Sequence, residues 1–402
     1  MEKKLAEILR AAFETVPYYN NLFLNCGVDV YQEEPLKILA KLPVTDKETI
    51  KAIGWPNFVD EKYLDEEYEL IRDNTIHISQ TSGTTGEPMH ILWNNKEYYR
   101  SVREHWALRN EIAGIRPIDR CCSVSHKRSG RGSFEITPYM LKFKIHFATY
   151  AHTVEFLKHW GRFSPAWVYM PASVLSYLVN VARNEGIDIK EGVRYIEFAE
   201  EPVLEQYRTN VETYFGLKAY DMYGCEETNG IAMQCSCGQY HLMCGNVYAE
   251  VYKDGIFSRF GDGNMCLTGL HNTAMPFIRY KLNDRVTIRE SQCPCGNAAP
   301  TVKIHTNRFP VCMEFRSENS TLLYPEAWFE KPDANRTVYF RYRFSSGGSI
   351  ILFEQAGDRY DETEAQMRKL MAMYGVDLSC IHFGVADEKC EKMLRGVFLL
   401  KS

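Results

Sequence analysis

Residues 79–88 read Ser-Gln-Thr-Ser-Gly-Thr-Thr-Gly-Glu-Pro, small hydroxyl residues set around two glycines. Gly83 and Gly86 let the backbone approach anionic oxygens with no Cβ in the way, while Thr81, Ser82, Thr84 and Thr85 add hydroxyl donors beside the backbone N–H groups. Such a loop can wrap a polyphosphate, which points to ATP. No Gly-Lys-Ser/Thr follows, which argues against a Walker-type ATPase. Farther along, Cys235-Ser236-Cys237-Gly238-Gln239-Tyr240-His241 is answered by Cys293-Pro294-Cys295-Gly296. Soft thiolates with an imidazole at two short-spaced stations suit a tetrahedral structural zinc site, with Cys237 and Cys244 open as ligands by spacing alone. A third station, Ser125 to Ser133, sets His126, Lys127, Arg128 and Arg131 among small residues and reads either as a solvated basic loop or as an anion contact.

The loop at 79–88 resembles the phosphate loop of the adenylate-forming superfamily, in the variant of the phenylacetate-CoA ligase and CapK-like branch, where the loop lysine is often absent. Further segments follow in family order. Phe198-Ala199-Glu200-Glu201-Pro202 resembles Gly-Glu-Pro on the adenine side, with Glu200 where the glycine usually stands. Tyr223-Gly224-Cys225-Glu226-Glu227 resembles Tyr-Gly-x-x-Glu, which implies that Tyr223 lies against adenine and Glu227 helps hold magnesium. Gly261 to Leu270 with Met275 to Asp284 resembles the run into Pro-Leu-Ile-Arg-Tyr-x-x-Gly-Asp, which makes Asp284 the ribose ligand. Alone, Tyr223 would suit core packing, Glu227 a solvated charge and Asp284 a turn. Their order over residues 79–284 carries the resemblance, supported by Val16-Pro17-Tyr18-Tyr19 and by Leu42-Pro43-Val44-Thr45-Asp46-Lys47.

The resemblance implies an AMP-forming acid-thiol ligase using ATP and Mg2+. It activates a carboxylic acid as acyl-AMP and passes the acyl group to coenzyme A or to a carrier protein's phosphopantetheine. Kinship leans towards an aryl or arylacetic acid, for which Tyr139, Phe143, Tyr150, Tyr169 and Phe198 are candidate pocket walls. An amide or ester ligase with an amine or hydroxyl acceptor is the alternative within the enzymes, and a non-catalytic nucleotide-binding relative the alternative outside them. The resemblance also selects Cys235, His241, Cys293 and Cys295 as zinc ligands. Near the end the pattern departs from the family. The hinge Gly-Arg-x-Asp-Asp corresponds to Thr306-Asn307-Arg308-Phe309-Pro310, where only Arg308 survives, and the terminal lysine is matched by Lys392 within Glu391 to Val397. Those departures bear on the hinge and on the adenylation lysine.

The elements that must position these residues read as an α/β protein. The resemblance implies a large N-terminal adenylation domain of α/β layers, 1–307 with the Cys/His zinc site inserted, followed by a small mobile α+β C-terminal domain, 308–402. Ala166 to Tyr169 and Arg194 to Phe198 have the make-up of strands, Ala172 to Asn184 and Gln206 to Phe215 of helices, and Lys218 to Met222 of a strand ending at Tyr223. Leu5, Ile8, Leu9, Ala12 and Phe13 recur at helical spacing. At the far end a helix is expected over Asp361 to Tyr374, with strands at Thr337 to Phe344, Ser349 to Phe353 and Ile381 to Val385. The 402 residues are 45% hydrophobic and 25% charged with a net charge of −5, a balance that disfavours a nucleic-acid surface. Thirteen cysteines, charges interleaved at the N-terminus and no long apolar run suggest a cytoplasmic protein with reduced thiols and neither export signal nor membrane span. Self-association into a homodimer is left open.

Overall fold

A computed structural model describes residues 1–64, 67–81, 89–125, 134–144, 150–305, 312–316, 321–325, 337–345, 348–354, 360–373, 378–385 and 394–399. The chain divides into two compact units, Met1–Arg116 with Tyr220–Asn307, and Pro117–Ala219 with Arg308–Ser402. Both combine helices and sheet, as the α/β reading requires.

In the first unit, helix Glu2–Thr15 buries Leu5, Ile8, Leu9 and Ala12, the stripe its period predicts. That stripe joins a core containing Tyr19, Phe23, Phe58, Trp93 and Phe277. Burying one such side chain contributes about 1.5–3 kcal/mol, so this core fixes the antiparallel sheet it covers. The strands lie in the order Ile256–Ser258, Val247–Lys253, Gly261–Gly269, Tyr280–Arg289, Thr301–His305, Tyr240–Leu242, Asn229–Gln234 and Ala219–Cys225. A separate antiparallel hairpin pairs Ile76–Gln80 with His90–Asn94, its last pair being Gln80 with His90. The glycine-rich segment thus joins two strands that pair with each other.

In the second unit, Tyr195–Phe198, Trp167–Met170, Cys121–Ser125 and Met140–Lys144 are neighbours in a parallel sheet, and Phe134–Ile136 pairs antiparallel at its edge. Parallel neighbours need crossovers; helix Tyr150–Phe163 precedes Trp167–Met170 and helix Ala172–Glu185 links it to Tyr195–Phe198, while Phe134–Ile136 lies in the connection from Cys121–Ser125 to Met140–Lys144. Helix Ala172–Glu185 is apolar nearly all round and correspondingly buried. Helix Glu205–Phe215 stops at Gly216. These elements match the expected strands and helices within one or two residues. One boundary differs: the strand expected to end at Tyr223 runs over Ala219–Cys225, so Tyr223 and Gly224 sit inside it. Of the candidate pocket aromatics, Phe143 and Phe198 are core side chains and Tyr139 is exposed.

Toward the chain end, strands Ile381–Val385, Gly348–Glu354, Thr337–Ser345 and Leu394–Leu399 form a sheet in that order. Helix Tyr360–Met373 connects its parallel pair, Gly348–Glu354 and Ile381–Val385. Ile351, Phe353, Met367 and Ile381 are buried. This is the expected α+β arrangement. Among the described residues no helix is long and apolar enough to cross a membrane.

Candidate active site

The base of the hairpin loop is closed by a two-way clasp. The Thr81 N–H donates to the Met89 carbonyl at 3.0 Å, and the Met89 N–H donates to Thr81 Oγ1 at 2.9 Å. Ser82, Gly83, Thr84, Thr85 and Gly86 lie outside the described residues, as do Lys127 and Arg128 of the basic segment. At the clasp stands a cation the motif lacks. Lys47 Nζ donates to Thr81 Oγ1 at 3.4 Å. Lys47 opens helix Lys47–Ile53, whose cap is the Asp46 carboxylate accepting from the Thr49 N–H at 3.0 Å. Burial pushes the Lys47 ammonium below the ordinary lysine range, Lys51 adds to the effect, and the charge of Glu227 opposes it.

Glu227 is buried and accepts a hydrogen bond from the Tyr280 hydroxyl at 3.0 Å. The Tyr280 phenol is raised far above its usual range, first by burial and then by the Glu227 charge. The turn carrying Glu227 is pinned to the hairpin, because Trp93 Nε1 donates to the Glu226 carbonyl at 3.2 Å. Gly224 has a steric reason to be glycine: a Cβ there would stand 2.7 Å from the Asn229 carbonyl oxygen.

Asp284 lies in strand Tyr280–Arg289, where the two-residue period buries Tyr280, Leu282, Asp284 and Val286 together. A carboxylate on an apolar face needs a donor. The Tyr223 hydroxyl donates to it at 2.8 Å, so the tyrosine and the aspartate of two separate motifs meet directly.

The remaining nucleotide candidates belong to the second unit. Glu201 is buried and accepts from the Ser173 N–H at 2.6 Å and the Ser173 hydroxyl at 2.9 Å, in the first turn of helix Ala172–Glu185. A carboxylate there satisfies free N–H groups and suits the helix dipole. Glu200 has φ of 75°, the left-handed region that glycine enters without strain, and it occupies the place of the motif's glycine. Pro202 follows, half-buried. Arg308 and Lys392 fall outside the described residues.

Cys235, His241, Cys293 and Cys295 converge, their ligand atoms all within 4.8 Å of one another. Cys235 Sγ is 3.6 Å from Cys293 Sγ, and Cys295 Sγ is 3.3 Å from His241 Nε2. Zinc–sulfur bonds of about 2.3 Å at tetrahedral angles put two sulfurs about 3.8 Å apart. His241 Nδ1 lies 2.9 Å from the Ala299 carbonyl, a partner that fixes the ring and leaves Nε2 for a metal. Each cysteine pair sits on a tight turn, closed by Gly238 N–H to the Cys235 carbonyl and Gly296 N–H to the Cys293 carbonyl. Both glycines have φ of 81°, where a side chain would be strained. Cys237 is exposed, and neither it nor Cys244 belongs to the cluster.

No protein-family model matches the chain. Among solved structures, 2-hydroxyisobutyryl-CoA ligase with 2-HIB-AMP and CoA in the thioesterification state superposes with a TM-score of 0.62 at 18% identity, over 97% of this chain and 87% of that one. The same ligase in the postadenylation state with R3-HIB-AMP gives a TM-score of 0.61 at 17% identity, over 98% and 86%. The fold is therefore that of the adenylate-forming acyl-CoA ligases. By sequence the chain is similar to phenylacetate-CoA ligases. It is 24% identical over 308 residues to the enzyme of Pseudomonas putida, covering 70% of this chain and 64% of that protein. With the Escherichia coli K12 enzyme it shares 25% identity over 303 residues, 70% and 65% of the respective lengths. The chain thus spans about two thirds of the length of the curated relatives it matches.

Proposed function

We propose that the protein is an AMP-forming acid-thiol ligase. A carboxylate oxygen attacks the α-phosphorus of ATP, the bond to the bridging oxygen breaks, and pyrophosphate leaves. A thiol, of coenzyme A or a carrier's phosphopantetheine, then attacks the acyl carbonyl carbon and expels AMP while losing its proton. The observation that carries this reading is the direct pairing of Tyr223 with Asp284 in the same unit as Glu227, Lys47 and the clasped loop. Asp284 and Tyr223 hold the nucleoside, the loop and Lys47 the phosphates, and Lys392 is the lysine at the α-phosphate. Glu201, Pro202 and Arg308 are assigned to nucleotide by their motifs alone. Magnesium held by Glu227 would offset the phosphate charge. The names of the curated relatives favour an aryl or arylacetic acid as the substrate.

The test is exchange of labelled pyrophosphate into ATP across a panel of acids. Exchange that depends on an arylacetic acid, with a coenzyme A thioester as the final product, is expected. Exchange followed by transfer only to an amine or hydroxyl would sink the thiol, and absence of exchange with every acid would leave a nucleotide-binding protein without turnover.

We also propose a structural zinc on Cys235, His241, Cys293 and Cys295, since four protein ligands leave no position for a catalytic water. Purified protein is expected to contain close to one zinc per chain, and Cys295→Ser to lower both zinc content and melting temperature. Protein free of zinc, or chelation that abolishes activity reversibly while stability stays unchanged, would refute this.

A further inference from the structure

Tyr240 immediately precedes His241 in strand Tyr240–Leu242, which pairs with Asn229–Gln234 on one side and Thr301–His305 on the other. Both flanking strands abut the Cys/His cluster, since Cys235 follows Gln234 and Cys293 and Cys295 lie in the turn before Thr301. The short strand therefore carries one member of the cluster and lies between two strands that each lead to the others. Tyr240 does not keep its hydroxyl within its own pairings. It reaches across Asn229–Gln234 and donates to Asp221 Oδ2, in strand Ala219–Cys225. Asp221 is buried, and a hydrogen bond to a carboxylate withdrawn from water is among the stronger ones a protein makes. Two residues on, at the strand period that puts both on one face, is Tyr223, whose hydroxyl holds Asp284.

We infer that Tyr240 and Asp221 form a positioning relay through which the Cys/His cluster sets the strand bearing Tyr223, and with it the Tyr223–Asp284 pair. Neither residue touches substrate in this scheme. The last step rests on the reading of that pair as the nucleoside site, whereas the link from cluster to strand does not.

The experiment compares the intact protein with Tyr240→Phe, which removes only the hydroxyl, and with Asp221→Asn and Asp221→Ala. Three quantities are measured on each: zinc content, amide hydrogen exchange over Ala219–Cys225, and the dissociation constant for ATP. Tyr240→Phe is expected to keep the parental zinc content, to speed exchange in that strand roughly fivefold or more, and to weaken ATP binding roughly five- to tenfold, in the range of coupling within one hydrogen-bonded network. Asp221→Asn retains an acceptor for the Tyr240 hydroxyl and should fall between the parent and Asp221→Ala. Unchanged exchange in Tyr240→Phe overturns the relay. Loss of metal together with the hydroxyl overturns it as well, because Tyr240 would then serve the cluster itself. If exchange speeds up while ATP binding is unmoved, or the parent binds no ATP, the link to the strand stands and the nucleoside reading falls.

Discussion

Arg279→Met is expected to lower stability by about 3–5 kcal/mol, the usual result of breaking a buried ion pair and stranding its partner. The guanidinium is buried, donates from Nε and Nη2 to the Glu250 carboxylate at 3.2 and 3.0 Å, and lies 3.6 Å from the centre of the Phe257 ring. Its Nη1 donates to the Leu42 carbonyl at 2.7 Å. Its own carbonyl accepts from the Thr45 N–H at 3.0 Å, and the Thr45 carbonyl accepts from the Lys281 N–H at 2.7 Å. One residue thus staples segment 42–45 to the sheet, while holding φ of 47° to do so. For a unit of about 200 residues the loss corresponds to a fall of roughly 6–20 °C in melting midpoint. Arg279→Met with Glu250→Gln should recover part of it, since no charge is then left unpaired. A fall of less than about 2 °C for Arg279→Met would show that the pair contributes no more than a surface ion pair.

Lys47→Ala is expected to slow acyl-AMP formation by about a hundredfold or more, the scale for losing one well-placed donor to a developing charge. Lys392→Ala is expected to have an effect of similar size, and ATP binding separates the two. A lysine at the loop base contacts phosphate whenever nucleotide is bound, so Lys47→Ala should also raise the KM for ATP. Lys392→Ala should leave ATP binding nearly intact, because its partner charge appears only as the α-phosphate is attacked. In both variants, transfer from supplied acyl-AMP to the thiol should survive. The ammonium of Lys47 is the active form and burial depresses its pKa, so adenylation should decline as pH rises, and earlier than an ordinary lysine would allow. Parental adenylation rates in Lys47→Ala would reduce Lys47 to a prop for Thr81. The same result in Lys392→Ala would move the search to Arg395 or Lys389.

What the sequence reveals of this site divides by the range of the interactions. The cysteine and histidine stations show themselves in local spacing, which leaves Cys237 and Cys244 open; the resemblance selects Cys235, and the residues that converge are that same set. Tyr223, Glu227 and Asp284 stand in short motifs, but the bond between Tyr223 and Asp284 depends on strand register that no motif states. The approach of Lys47 to the loop base is illegible because 34 residues separate it from Thr81. The available signal was Asp46, a helix cap that fixes Lys47 in the first turn. Arg279 appears in the motif, yet its partners lie 29 and 237 residues away. At Glu201 the motif names a nucleotide contact, while the carboxylate itself is occupied by Ser173, a partner 28 residues distant. The alternation of helices and strands over residues 166–222 was readable throughout, because apolar period and turn residues agree there at every step.

The first unit is assembled from two stretches of chain, Met1–Arg116 and Tyr220–Asn307. On a ribosome adding roughly 5–20 residues each second, the first stretch waits about 10–40 seconds for the second to be made. Throughout that interval the carbonyl of Leu42 has no Arg279, and the apolar face of helix Glu2–Thr15 has no sheet to cover. The core of the first unit is therefore completed only by residues made after the second unit's first stretch, so its early part carries an unfinished apolar face longest.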